Sequence, residues 1–209
     1  MLAHTRSLWE LQTRHGDDRV RLFAAVADAL DSVDAVLYPG SFVDITASMV
    51  WHDVTYVDVD ARAPRFFADT EGITEILNES GNGADGHRVT FFGQDYTDDL
   101  PVEHDHFDLL ISLYAGFITE HCTQHLRVGG HALVNSSHGD AAMASIDPRY
   151  ELAAVITSRN GRYAVRRDGL DHYLVPKRPT EVTVESLHES GRGIAYTRSP
   201  FAYLFTRVS

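Results

Sequence analysis

Two short apolar runs end in residues able to hold a nucleotide-like ligand. Ala35-Val36-Leu37-Tyr38-Pro39 leads into Gly40, and Val54-Thr55-Tyr56-Val57 leads into Asp58 and Asp60. Gly40 has no Cβ, so the backbone there can turn with positive φ and approach a ligand closely. A helix starting beyond it would aim free N–H groups and a positive dipole end at an anion. Asp58, at a strand's end, can accept charge-assisted hydrogen bonds from both hydroxyls of a ribose. Farther along, Asp95 can accept from an exocyclic amine, and Tyr96 and Phe92 can pack on a purine ring. Strand, tight turn, helix, strand and acid, in that order, is the layout of a nucleotide-binding α/β unit.

Histidines and arginines raise other chemistry. His121 and His125 stand four apart beside Cys122, and His104-Asp105-His106 lies upstream. Zinc needs three or four convergent ligands. Neither an HExxH pattern nor paired cysteines occur, so no metal is expected. Arginines from Arg159 to Arg198 crowd the C-terminal third, with Tyr163, Tyr173 and Tyr196 among them. They can bind an anionic acceptor, pair with acids such as Asp168, Asp171, Glu181 and Glu185, or face a second subunit.

These residues need elements to position them. Ser7–Gln12 reads as a short helix, and Asp17 is placed to cap a helix over Arg19–Leu30, whose apolar face is Val20, Phe23, Ala24, Val26, Ala27 and Leu30. After the first strand, Phe42–Val50 reads as a helix that either Asp44 or Thr46 can cap. Strand two is Val54–Val59, and helices follow over Arg62–Ala68 and Glu71–Asn78. Ser80 to Gly86 is a loop by composition. Strand three is Arg88–Gly93. Strand four, Phe107–Ser112, is a near-continuous apolar run, as in a parallel sheet covered on both faces. A helix is expected over Gly116–Arg127, stopped by Gly129-Gly130, then strand five over His131–Asn135. Tyr150–Thr157 reads as a strand, and Asn160-Gly161 as a hairpin turn into Tyr163–Val165. Asp171–Val175 reads as a short strand or extended segment, Glu181–Glu189 as a helix, and Ala202–Val208 as the last strand.

The fold expected is therefore α/β: a doubly wound, mostly parallel seven-stranded sheet with helices on both faces, an antiparallel last strand and a C-terminal hairpin embellishment. A single domain over 1–209 is expected, with N-terminal helices in 1–33, a Rossmann-like core in 34–157, a hairpin or cap insertion in 158–198 and the final strand in 199–209.

Composition narrows the function. Apolar residues make up 44% and charged residues 23%, as in an ordinary globular chain. The net charge of −12 repels phosphate backbones and disfavours nucleic acid as a partner. No run of eighteen apolar residues suggests a membrane span, the N-terminus lacks a secretory core, and the single cysteine fits a reducing cytosol. A cytoplasmic protein is expected, and a homodimer is left open.

The order of these elements resembles the class I S-adenosylmethionine-dependent methyltransferases. Four places carry the resemblance: Val36-Leu37-Tyr38-Pro39-Gly40, Tyr56-Val57-Asp58-Val59-Asp60, Gly93-Gln94-Asp95-Tyr96, and Phe107–Ser112 with Leu126-Arg127-Val128-Gly129-Gly130. It implies S-adenosylmethionine as cofactor, held by Tyr38, Gly40, Asp44, Asp58, Asp95, Tyr96 and Ser112. The loop departs from the family's pattern: Tyr38 replaces the leading acid, Phe42 the second glycine and Asp44 the third. Asp44 would take over the missing acid's place near the cofactor's ammonium. The acceptor, expected to be a small molecule, would sit over the ends of strands four and five, where Tyr114 can orient it and His138 can take its proton. For either residue, the plainer role is a loop side chain satisfied by backbone or water. Ser112-Leu113-Tyr114-Ala115 lacks the Asp/Asn-Pro-Pro-aromatic pattern of amino-methylating nucleic-acid enzymes. Two alternatives stand beside this reading. One is a methyltransferase-like protein without catalysis. The other, a nicotinamide oxidoreductase, is disfavoured because Gly-x-Gly-x-x-Gly is absent from the first turn.

Overall fold

The computed structural model describes residues 1–14, 16, 18–81 and 86–209. The proposed Asp17 cap and part of the 80–86 loop lie outside the described residues.

Eight strands form one sheet in the order β3-β2-β1-β4-β5-β8-β6-β7. They are β1 (Ala35–Pro39), β2 (Asp53–Val57), β3 (Arg88–Phe92), β4 (Phe107–Ser112), β5 (Leu126–Val134), β6 (Tyr150–Arg159), β7 (Arg162–Arg166) and β8 (Ala202–Arg207). The first five pair in parallel, and β8 inserts antiparallel between β5 and β6. The expected count of seven rises to eight because the Asn160-Gly161 turn sends β7 back along the edge of β6. The direction of winding reverses between β1 and β4, which is where open α/β sheets bind ligands at the strands' C-terminal ends.

Side chains alternate across each strand, so the central strands feed two cores. In β4, Leu109 and Ile111 join the core under α2 (Asp18–Ala27), α3 (Ala63–Phe67) and α4 (Thr70–Glu79), where Phe23, Phe66 and Ile76 are buried. Leu110 joins the other core, under α5 (Ile118–Cys122), α6 (Asp140–Ile146) and α7 (Val184–Ser190). The helix α1 (Ala3–Thr13) precedes α2.

Three segments differ from the sequence reading. Phe42–Val50 is not an α-helix; Ile45–Met49 is a 3-10 turn, with the Asp44 carboxylate accepting from the Thr46 N–H as its cap. The helix expected over 116–127 ends at Cys122, followed by a 3-10 turn over Thr123–His125. Leu126 is already in β5, paired with Phe107. Gly129-Gly130 therefore sits inside β5. A Cβ at Gly130 would come within 2.9 Å of the Arg127 carbonyl, so only glycine fits the register shift there. Asp171–Val175, read as a short strand or extended segment, begins in a 3-10 turn at Leu170–His172 and turns extended at Tyr173, with one bridge from Pro176 to Tyr196. The helix α6 had no counterpart in the sequence reading; its short stretch of small residues carries little helical periodicity. Among the described residues no helix is long and apolar enough to cross a membrane.

Candidate active site at the switch point

Gly40 leaves β1 with φ +65° and donates its N–H to the Val57 carbonyl at 2.8 Å. Phe42, at the second-glycine position, adopts φ 52°, so the loop keeps a glycine-like path without the glycine. Its N–H donates to Asp58 Oδ2 at 2.6 Å, and Asp58 Oδ1 accepts from the Asp60 N–H at 2.8 Å. A carboxylate offers about four acceptor sites, so Asp58 keeps two for a ligand. Arg62, paired with Asp60, lies over the Phe42 ring at 4.6 Å.

Asp44 has another task. It is buried, and its oxygens accept from Thr46 N–H and Oγ1, from Tyr38 OH and from the Arg19 guanidinium. All four acceptor sites are filled, so Asp44 has none left for an ammonium. It ties the β1 loop to α2. Tyr38 has no exposed surface, and burial pushes its phenol well above the usual range. Arg19, with 30% of its side chain exposed against 1% for Asp44, brings cationic surface to a cavity of about 270 Å³. Leu113, Tyr114, Tyr163 and Phe201 also line that cavity. Arg19 lies 5.3 Å from the Tyr114 ring centre, over its face.

Three consecutive residues beyond β4 run from the cavity to the loop after β1. Tyr114 lines the cavity. Ala115 faces Gly40, where an added Cβ would lie 2.6 Å from the Ala115 Cβ. Gly116 accepts from Tyr96 OH at 2.8 Å through its carbonyl. Burial raises the Tyr96 phenol above its ordinary value. Tyr114, the first residue of this plug, and Phe117, just past it, adopt φ 62° and 57°, and non-glycine residues in that region cluster at functional sites.

The remaining expected residues are spread around this centre. Asp95 is half-buried and accepts from Thr97 N–H and Oγ1, closing its own turn. Ser112 is buried, and its hydroxyl donates to Asp140. Thr119 donates to the same carboxylate through N–H and Oγ1, so Asp140 pins the start of α5 under the end of β4. Burial pushes the Asp140 carboxyl up, against the hydroxyls that favour its charged form. His138 is exposed, with Nδ1 2.7 Å from Ser137 Oγ, and a Cβ at Gly116 would lie 3.3 Å from the His138 Cβ. Asn135 Oδ1 accepts from the Tyr114 and Ser137 N–H groups, joining the two loops. Among the described residues no group of three or more metal-ligating side chains converges.

The sequence reading missed Arg19 and Asp140 as members of this centre. Both reach it across long stretches of chain, and no local pattern marks either.

The donor set fits an adenosyl group with an amino-acid tail. Asp58 has acceptor sites for hydroxyls, Arg19 offers cationic surface for a carboxylate, and the left-handed loop brings backbone close. Neither a protein-family model nor a curated protein matches the sequence. Among solved structures, a protein from Corynebacterium glutamicum superposes with TM-score 0.51, at 10% identity over 80% of this chain and 90% of that one. The 1,6-didemethyltoxoflavin-N1-methyltransferase of Burkholderia thailandensis, solved with S-adenosylhomocysteine, aligns over 99% of this chain and 88% of that one, at 14% identity and TM-score 0.45. The [4+2]-cyclase SpnF aligns at 21% identity and TM-score 0.42 over 57% of this chain, which spans about half (48%) of that protein's length. At such identities the likeness is one of fold. Parallel over β3-β2-β1-β4-β5 with β8 inserted antiparallel beside β5, the sheet is that of a Rossmann-like α/β fold, and the likeness to the Corynebacterium protein is a likeness of that fold.

Proposed function

We propose that this chain is an S-adenosylmethionine-dependent methyltransferase acting on a small molecule. The observation that carries the reading is Asp58: a carboxylate at the end of β2, bound to the cofactor loop through the Phe42 N–H, with acceptor sites to spare. When bound, the cofactor supplies an electrophilic methyl group on a cationic sulfur. The chain's part is positioning. Asp58 holds hydroxyls, Arg19 receives a carboxylate, and the Tyr114–Gly116 plug swings away from Gly40 to admit the ligand. The acceptor occupies the cavity beside Tyr114, where the phenol orients it and His138, in the adjoining loop, takes a proton. The aromatic and aliphatic lining suits a small, partly apolar acceptor.

The test is calorimetric titration with S-adenosylmethionine and S-adenosylhomocysteine. Micromolar binding that Asp58→Ala abolishes supports the reading. A folded protein that binds neither sinks it. The closed plug favours one second reading, a methyltransferase fold that no longer catalyses, and absence of binding is the outcome that reading expects.

A further inference from the structure

Several arginines pair with neighbouring acids: Arg62 with Asp60, Arg88 with Asp53, Arg127 with Asp108, Arg149 with Asp147 and Arg207 with Asp105. On the β6–β7 hairpin, Arg159, Arg162 and Arg166 have no carboxylate partner among the described residues, and neither has Arg198 beside it. The chain carries 30 acids against 18 bases, so carboxylates were not scarce.

The register shows how these arginines are gathered. Arg159 opposes Arg162, Thr157 opposes Ala164 and Val155 opposes Arg166. Directly opposed residues share a face, so all three arginines line one side of the hairpin. The other side carries Tyr163, packed on Phe201 at 5.0 Å, and faces α2. The turn is held in place by Arg21, whose Nε donates to the Gly161 carbonyl at 3.0 Å. A groove of about 860 Å³ runs along the arginine face. At Thr157 and Ser158 it meets a second groove of about 450 Å³, where Arg198 lies 5.7 Å from the centre of the Tyr173 ring. Like charges opposed across strands repel each other unless an anion lies between them.

We propose that this face binds a small molecule carrying phosphate groups. Guanidinium forks match phosphate oxygens in geometry and charge. Size follows from electrostatics. At physiological salt, charges screen each other beyond about 8 Å. A compact anion in the groove feels the local arginines, whereas a long phosphate backbone must also cross the acidic remainder of a −12 surface. The first groove shares Tyr163, and the second Phe201, with the cavity beside Tyr114, but the arginines line neither that cavity nor the loop after β1, and the proposal does not depend on methyl transfer.

The test is calorimetry with inorganic pyrophosphate at physiological salt, on the wild type and on Arg159→Ala combined with Arg162→Ala. The expected result is a single site weakened at least about tenfold in the double variant, with an unchanged melting temperature. Arg166→Ala gives the same reading should the double variant misfold. No pyrophosphate binding overturns the proposal. So does a response that sulfate reproduces and that vanishes at physiological salt, since that is screening and not a site. Tighter binding of a short oligo-dT than of pyrophosphate assigns the groove to nucleic acid instead. Titration with S-adenosylmethionine in the same variants separates this outcome from that of the methyltransferase reading.

Discussion

The Phe42 N–H and the Asp58 carboxylate, 2.6 Å apart, join the loop after β1 to the end of β2. One bond thus links the residue that replaces a glycine to the acid that would hold a ribose. Phe42 keeps positive φ, and its half-buried ring lies between the core and the Arg62 guanidinium.

Removing that acid should therefore act twice. Asp58→Ala is expected to abolish measurable cofactor binding by calorimetry and to cost about 1–3 kcal/mol of stability, because the Phe42 N–H loses its charged partner. Asp58→Asn should recover most of the stability while leaving binding weak. Full affinity in the alanine variant contradicts the assignment.

Gly40 is expected to tolerate no side chain. Gly40→Ala combines φ +65° with a Cβ 2.6 Å from that of Ala115. Left-handed backbone costs an alanine about 1–2 kcal/mol, and the clash adds to it. Ala115→Gly in the same chain should restore the clash portion only. Urea denaturation of the two single variants and the double variant gives the coupling; simple additivity would mean the two residues do not meet.

The plug makes a kinetic prediction. Tyr96→Phe removes the bond to the Gly116 carbonyl. Stability should fall by about 1 kcal/mol, while stopped-flow association with S-adenosylhomocysteine should speed up several-fold, since the closed state loses a restraint. An unchanged association rate shows that the segment does not gate the cleft.

Asp44 and Arg19 should behave as a buried pair. Asp44→Ala leaves the guanidinium, Tyr38 OH and Thr46 N–H without their acceptor and is expected to cost about 3–5 kcal/mol by chemical denaturation. A loss below about 1 kcal/mol would make the pair a surface one.

Asp140 predicts a pH effect with a definite sign. Burial raises its folded-state value above the ordinary one near 3.8. Its contribution to stability is then fully present below that ordinary value and is lost as pH rises through the folded-state value. Asp140→Asn, neutral and of the same shape, should flatten that part of the stability profile from pH 3.8 upward. A profile identical to wild type shows that the carboxyl does not titrate differently on folding.

The sequence by itself determined the elements whose signals are local. The apolar run of β4, the Asn160-Gly161 hairpin, the acid closing β2 and the succession of strands and helices all follow from periodicity and turn chemistry within a few residues. Local signals also misled: Ile118, Cys122 and Leu126 fall at helical spacing, yet Leu126 belongs to the sheet because Phe107 pairs with it. Tertiary structure alone decided the centre. Arg19 and Asp44 are 25 residues apart, Ser112 and Asp140 28. Whether Asp44 serves a ligand or the protein depended on how many donors converge on its two oxygens. Those donors come from α2, β1 and its own turn, and the packing of α2 on the sheet brings them together.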